Sequence, residues 1–224
     1  VVDQIEQGDT VQIAAALKTV LGFSPQVRAS VIQQARKRIL AYYREQVDRH
    51  FDVAKGDYDY PGAARLLAQA RVLYPDSAGV QDLADRTLVA RNQLLNDLNG
   101  RFNAALHAGR LLPSPDKDDI PDILGVVAQV EPKNAMLLDP RLSIAYVQQS
   151  EQAAGAKDYK RALILVSTGL ARFPNTRLSG LQGEFREQLH FQRIRGNVKV
   201  KELEAKIRPM IGKVRSLADV ARLR

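Results

Sequence analysis

The sequence contains no cysteine and no tryptophan, and only 2 of its 224 residues are methionine. Without cysteine the chain has no disulfide, no thiol nucleophile and no thiolate ligand for a metal ion. Aromatic residues make up 6% of the chain, so side chains that could stack on nucleic-acid bases are few. The lack of cysteine suits the periplasm as well as the cytoplasm.

Long apolar runs are also lacking. The run "IAAALKTVLGF" over 13–23 is interrupted by Lys18, and "ALILV" over 162–166 is short, whereas a membrane-spanning helix needs about 20 apolar residues. The sequence begins with Val1 rather than methionine. We therefore interpret residue 1 as an internal position of a longer protein, in which a signal or membrane segment can precede it.

The basic residues are unevenly distributed. The formal net charge is +8, and residues 151–224 hold 16 of the 33 lysines and arginines but only 7 of the 25 acidic residues. One interpretation is that this end binds phosphate groups or an anionic surface. The other, which we favour because aromatic residues are sparse there, is that it forms a solvated helix.

Apolar residues recur at helical spacing along most of the chain, which predicts an all-α fold. Val11 to Leu21 form the first clear helix, with Asp9 or Thr10 as its cap and Gly22 at its end. Asn99-Gly100 is a predicted bend or break, and Gly196 is a predicted interruption before a last helix. Further helices are predicted over 26–53, 63–75, 78–108, 120–132, 142–154, 157–175 and 176–193.

Three of these helices share a pattern of small or apolar residues followed by proline. The steps are four, three and five residues in each copy, which keeps the first three side chains on one helical face. Proline follows the helix because it cannot continue the backbone hydrogen-bond ladder. A helix precedes each copy, so the predicted unit is a helix pair. The copies are Ala63, Leu67, Ala70 and Pro75; Ile120, Leu124, Val127 and Pro132; and Ala162, Val166, Gly169 and Pro174.

This unit resembles the tetratricopeptide repeat. The best copy is "AYVQQSEQAAGAKDYKRALILVSTGLARFP" over 145–174, with Tyr146, Ser150 and Ala153 at positions of the repeat's first helix. The prolines lie 57 and 42 residues apart, against about 34 in that family. The resemblance implies a TPR-like antiparallel helix-pair solenoid with about three irregular repeats and flanking helices. We expect a capping helix over 1–24, the repeat domain over 25–195 and a basic helical segment over 196–224.

A second resemblance concerns "YDYPGAARLLAQARVLYPDSAGVQDLADR" and "AGRLLPSPDKDDIPDILGVVAQVEPKN". These stretches look like helical segments that lie beyond the kinase domain in some bacterial serine/threonine protein kinases. The glycine-rich loop, HRD and DFG motifs of a kinase are not in the sequence. The resemblance therefore implies a non-catalytic sensor or docking part, which we expect in the periplasm, with the cytoplasm as the alternative.

Residue patterns for catalysis or cofactor binding are weak. The histidines His50, His107 and His190 have no partners at metal-ligand spacing. The acids of "DKDDIPD" over 116–122 could hold calcium, but we favour a helix N-terminus that attracts negative charge. No serine lies in a Gly-x-Ser-x-Gly motif, and no phosphate-binding loop is present. We expect no enzyme activity, no cofactor and no metal.

We expect instead a scaffold that binds a protein or peptide, since the resemblance implies a groove lined by the first helix of each pair. The groove-side candidates are Asp48, Arg49, Asp52, Gln148 and Glu151. The helix over 35–51 could alternatively lie on an anionic membrane, but we favour its role as a first helix. We do not expect it to bind nucleic acid, because acidic residues interrupt its basic face. Two other functions stay open: a structural part of a cell-envelope complex, or a binder of anionic surfaces or nucleic acid through the basic end.

Overall fold

The computed structural model describes residues 1–211, with side chains to Arg208. The chain divides into two compact units, Val1–Leu138 and a second that begins at Asp139. The first contains α1 (Val2–Gln7), α2 (Thr10–Leu21), α3 (Pro25–Gln34), α4 (Arg36–His50), β1 (Phe51–Asp52), β2 (Asp57–Tyr58), α5 (Tyr60–Leu73), α6 (Ala78–His107), α7 (Ile120–Val130) and a 3-10 helix (Ala135–Leu138). The second contains α8 (Pro140–Gly155), α9 (Tyr159–Arg172) and α10 (Thr176–Ile211).

The all-α prediction is confirmed. The strands within the described residues are the two-residue β1 and β2, which pair as an antiparallel hairpin, with Phe51 opposite Tyr58. Residues 212–224, which complete the predicted basic segment over 196–224, lie outside the described residues. No helix in the described part of the chain is both long enough and apolar enough to cross a membrane.

Aspartate side chains cap five of the helices. Each carboxylate accepts a hydrogen bond from a backbone N–H two or three residues further on, which satisfies a donor that the first turn leaves unpaired. In α2 the side chain of Gln12 also bonds back to the backbone of Asp9 and completes a capping box. The caps are Asp9, Asp59, Asp119, Asp139 and Asp158.

The three proline-stopped helices end in the same way. Tyr74, Glu131 and Phe173 follow α5, α7 and α9, and the backbone of each has left the helical region, with φ of −138°, −148° and −129°. Each also donates its N–H to the carbonyl four residues earlier. The following proline disfavours helical geometry at the residue before it, so the sequence sets these three ends locally.

The middle copy buries the predicted row of Ile120, Leu124 and Val127, but its helix begins three residues later relative to that row than the other two do. Ala63 and Ala162 each lie four residues after their capping aspartate, and the residue at that place in the middle copy is Ile123 rather than Ile120. The reason is length, because α7 has 11 residues whereas α5 and α9 have 14 each. Ile120 and Ile123 are both buried.

Each proline-stopped helix packs against the helix before it, which gives the pairs α4/α5, α6/α7 and α8/α9. The pairs are antiparallel: Gly62 near the start of α5 lies against His50 at the end of α4, and Gly169 near the end of α9 lies against Tyr146 near the start of α8. The core of the first unit also includes α1 and α2, through the fully buried Ile5 and Val20.

The predicted single helix over 26–53 is wrong. Ala35 separates α3 from α4, and α4 ends at His50. The cause lies far away in the sequence: the hydroxyl of Tyr74 donates to the carbonyl of Ile32 over 2.8 Å. In a continuous helix that carbonyl would accept from the N–H of Arg36. Burial also raises the pKa of Tyr74 to about 12, so the hydroxyl keeps its proton and donates.

The Tyr74→Phe variant tests this contact. We expect it to lower the free energy of unfolding by about 1 kcal/mol, because the buried carbonyl of Ile32 loses its partner while the ring stays in place. Urea unfolding followed by far-UV circular dichroism measures the change. The matched control is Tyr58→Phe, since no hydrogen bond of its hydroxyl is described, and we expect a change below about 0.5 kcal/mol. Equal losses in the two variants would contradict the explanation.

Two predicted interruptions are also wrong. Helix α6 continues through Asn99-Gly100, where Leu98 and Phe102 are buried, and α10 continues through Gly196. A glycine in a helix interior costs about 1 kcal/mol relative to alanine. The packing of Leu98 and Phe102 outweighs that cost in α6.

Candidate functional site

One face of α4 lies open beside α6. Lys37, Ala41, Arg44 and Asp48 follow one another in steps of four, three and four residues, so they form a single row along the helix. Depressions of about 310, 540 and 300 Å³ line this row and share residues with one another: the first two share Ala41 and Arg44, and the last two share Asp48. We call this surface the α4 groove.

The groove changes in character along its length. Its first part is apolar and includes Leu40 and Ala41 from α4 and Val80 and Leu83 from α6. Its last part is lined by Thr87 and Ala90 of α6 and by the turn that follows α4, over 51–54. The hairpin β1–β2 therefore forms one end of the groove, because it turns the chain back immediately after α4.

Most charges at this last part are already paired. A guanidinium nitrogen of Arg86 lies 2.9 Å from a carboxylate oxygen of Asp48, which joins α6 to α4. Arg49 pairs with Glu45 one turn earlier on α4.

Asp52 is paired within the turn itself. Its carboxylate oxygen lies 2.7 Å from the ammonium nitrogen of Lys55. The hydrogen bond from Lys55 lowers the pKa of Asp52, and the same bond raises the pKa of Lys55. Both groups therefore stay charged at neutral pH, and a ligand would have to compete with a partner that each already has.

Two basic side chains are different. Lys37 and Arg44 are exposed and line the groove, and no ion pair with either is found among the residues that the structure describes. They lie seven residues apart on one helix, which corresponds to about 10.5 Å along its axis. The apolar part of the groove is therefore flanked by two positive charges that a ligand can neutralise.

The sequence-predicted residues fall into two groups. Asp48 and Asp52 lie at the last part of the α4 groove, and Arg49 lies at its middle part. Gln148 and Glu151 belong to the second unit, where both are exposed on α8.

Glu151 bonds to Arg177 at the start of α10, much as Asp48 bonds to Arg86 at α6. In both cases an acid on the first helix of a pair binds an arginine of the helix that follows the pair. These acids therefore join neighbouring helices, a role that the sequence analysis did not assign to them.

The sequence analysis missed Lys37 and Arg44, together with the α6 side of the groove. A signal for the first two was present, because both lie on the same helical row as Asp48. The α6 residues could not have been found, since nothing in the sequence states which face of α6 meets α4.

The acids over 116–122 bind parts of the chain. Asp118 lies between Arg101 and Arg110, and the hydrogen bond from Arg101 contributes most to lowering its pKa. Asp119 is fully buried and caps α7. Within the described part of the chain, no group of three or more histidine, aspartate or glutamate side chains is placed to hold a metal ion.

His50 is also engaged in structure. Its Nδ1 lies 2.6 Å from a carboxylate oxygen of Asp59, whose other oxygen accepts from the N–H of Gly62. Burial acts to raise the pKa of Asp59, but the bonds from Gly62 and His50 lower it on balance. The His50–Asp59 pair thus holds the end of α4 against the start of α5.

Comparison with protein-family models, curated proteins and solved structures found no match. Function is therefore inferred from the geometry of the α4 groove and from the charges that line it.

Proposed function

We propose that the chain is a non-catalytic helical scaffold that binds an extended acidic peptide segment in the α4 groove. The observation that carries the proposal is that Lys37 and Arg44, which form no ion pair within the described part of the chain, lie beside the apolar surface formed by Leu40, Ala41 and Leu83. The neighbouring acids Asp48 and Glu45 are neutralised by arginines. Asp57 also lines the groove, but Lys37 and Arg44 outnumber it. The groove therefore attracts negative charge more than positive charge.

The spacing of the basic residues specifies the peptide. An extended chain rises about 3.3 Å per residue, so acidic residues three positions apart span the distance of about 10.5 Å between Lys37 and Arg44. An apolar residue between the two acids would then contact Leu40 and Ala41. Electrostatic attraction supplies orientation and association rate, and burial of apolar surface supplies affinity.

Charge reversal in the groove tests the proposal. The probe is a fluorescein-labelled peptide of about ten residues with glutamates three positions apart and leucines between them. We expect Lys37→Glu combined with Arg44→Glu to weaken binding about tenfold, because turning two attractions into repulsions changes the binding free energy by about 1.4 kcal/mol in total. Fluorescence anisotropy measures the dissociation constants.

The matched control is Arg65→Glu combined with Lys133→Glu, which changes the net charge equally on exposed residues outside the groove. We expect its affinity to stay within about twofold of the original. Equal weakening in the two double variants would overturn the proposal, because it would show that the peptide responds to total charge. Failure of the original chain to prefer the glutamate peptide over one with lysines instead would also overturn it.

We further propose that this scaffold serves as a sensor or docking part of a bacterial serine/threonine protein kinase, on the periplasmic side of the membrane. The resemblance of the helical segments and the absence of kinase motifs from this sequence support the proposal. Binding would influence an attached kinase only if the two signalling states differ in affinity for the peptide. The test measures kinase activity of the longer protein with and without the peptide, and a longer protein without a kinase domain would contradict it.

A further inference from the structure

Helix α10 changes its surroundings halfway along. Leu178, Leu181 and Phe185 are buried, where the helix packs against α9 and α8. From residue 190 to 208 every side chain is exposed. The chain thus presents about five helical turns to solvent, and this stretch holds six large apolar residues that are 45–56% exposed: Phe191, Ile194, Val198, Val200, Leu203 and Ile207.

The six apolar residues form two stripes. Phe191, Ile194 and Val198 are spaced by three and four residues, and so are Val200, Leu203 and Ile207. At about 100° per residue the two stripes lie on opposite sides of the helix. A helix that lies on a membrane surface needs one apolar face and one polar face, so this arrangement argues against a bilayer as the partner.

The stripe of Val200, Leu203 and Ile207 continues the face that is buried earlier in α10. Counting 100° per residue, it is on the same side of the helix as Leu181 and Phe185, which the second unit covers. Its spacing is that of a coiled-coil seam, with Val200 and Ile207 at the a positions and Leu203 at d. In parallel two-stranded coils, β-branched residues favour a and leucine favours d.

The same steps continue in the sequence at Met210, Val214 and Leu217, although Pro209 and Gly212 lie between them. The interface inferred below therefore rests on the three described residues and not on this continuation.

Charges beside this stripe favour a second copy in parallel orientation. Lys199 takes the g position, and Glu204 takes the following e position. In a parallel dimer the g residue of one helix meets the next e residue of the other. Lys199 of each copy therefore pairs with Glu204 of the other copy, which gives two ion pairs per dimer. In an antiparallel dimer g meets g and e meets e, which would bring like charges together.

The opposite stripe does not fit a second copy. With Phe191 at a, the g and e positions are His190 and Arg195. Neither residue is acidic, so this pair supplies no ion-pair attraction across a dimer. We infer that the face of Val200, Leu203 and Ile207 binds the same face of a second copy of this chain, with the two α10 helices parallel.

Sedimentation equilibrium on the chain at about 10–200 µM tests the inference. We expect a monomer–dimer equilibrium that Leu203→Asp shifts at least tenfold towards monomer, because a carboxylate enters the seam. The matched control is Ile194→Asp on the opposite stripe, which we expect to leave the equilibrium unchanged. Because both sites are exposed, circular dichroism should show native helix content in each variant.

Charge exchange tests the pairing itself. We expect Glu204→Lys to weaken dimerisation, and the double variant Lys199→Glu with Glu204→Lys to restore it. Because the chain has no cysteine, Leu203→Cys should also oxidise to a disulfide-linked dimer, whereas Lys201→Cys, one position after Val200, should not. A monomer at every concentration, a loss of dimer with Ile194→Asp, or no restoration by the charge exchange would overturn the inference.

Discussion

Replacing Gly62 by alanine is expected to lower the free energy of unfolding of the first unit by about 3 kcal/mol. A methyl group there would lie 2.1 Å from a carboxylate oxygen of Asp59 and 2.4 Å from Nδ1 of His50, closer than any real contact. To remove this steric overlap, the side chain of Asp59 or of His50 would have to move. The movement would break the cap of α5 and the bond that joins α5 to α4.

Gly100 in α6 provides the matched control. A methyl group at this position would have no neighbour within 4 Å, so Gly100→Ala is expected to stabilise the chain by about 1 kcal/mol through helix propensity alone. Urea unfolding followed by far-UV circular dichroism measures both variants. The explanation is wrong if Gly62→Ala and Gly100→Ala shift stability in the same direction.

The second large effect is expected for Asp119→Ala, with a loss of about 3 kcal/mol in the free energy of unfolding. Asp119 is fully buried. One of its oxygens accepts from the N–H of Asp122 at the start of α7, and the other accepts from the N–H and the hydroxyl of Ser114. Alanine would remove the helix cap and leave two donors of Ser114 without their acceptor.

Two further variants make this prediction specific. Asp119→Asn keeps an oxygen for the cap but turns an NH₂ group towards the donors of Ser114, so we expect an intermediate loss. Asp116→Ala, at an exposed acid of the same loop, should change the free energy of unfolding by less than about 0.5 kcal/mol. The same urea measurement separates the three, and a loss with Asp116→Ala as large as with Asp119→Ala would contradict a role for burial.

Local signals in the sequence predicted much of the fold. Asp9 and the prolines at 75, 132 and 174 act on neighbouring residues, so their effects on helix starts and ends can be read without knowing the rest of the structure. The helix pairs also followed from the sequence, because a helix precedes each copy of the four-three-five pattern and the apolar row of each copy has to be buried.

Interactions between distant residues could not be predicted in this way. The break at Ala35 depends on Tyr74, which bonds to Ile32 from 42 residues away. Gly100 and Gly196 were predicted to interrupt helices because glycine has a low helix propensity. The cost of one glycine is small, however, and the helical residues on both sides keep α6 and α10 continuous.

For the candidate site, too, the sequence indicated residues on one helix but not their contacts with distant parts of the chain. Asp48, Arg49 and Asp52 were named from the resemblance to a repeat, and all three line the middle or last part of the α4 groove. Arg86 neutralises Asp48, and Lys55 neutralises Asp52. The first of these pairs could not be predicted, because it depends on the packing of α6 against α4. Lys37 and Arg44 lie on the same helical row as Asp48, which the sequence shows, but that these two charges are available to a ligand followed only from the ion pairs of their neighbours.

The unequal lengths of α5, α7 and α9 imply a rule for how such helices can change. An aspartate sets where each one begins and a proline sets where it stops, yet α7 is three residues shorter than the others. Three residues are close to one turn, so the inward rows keep their direction. Deleting a single residue would rotate one end by about 100° against the other, which makes a whole turn the smallest step by which these helices can grow or shrink during evolution.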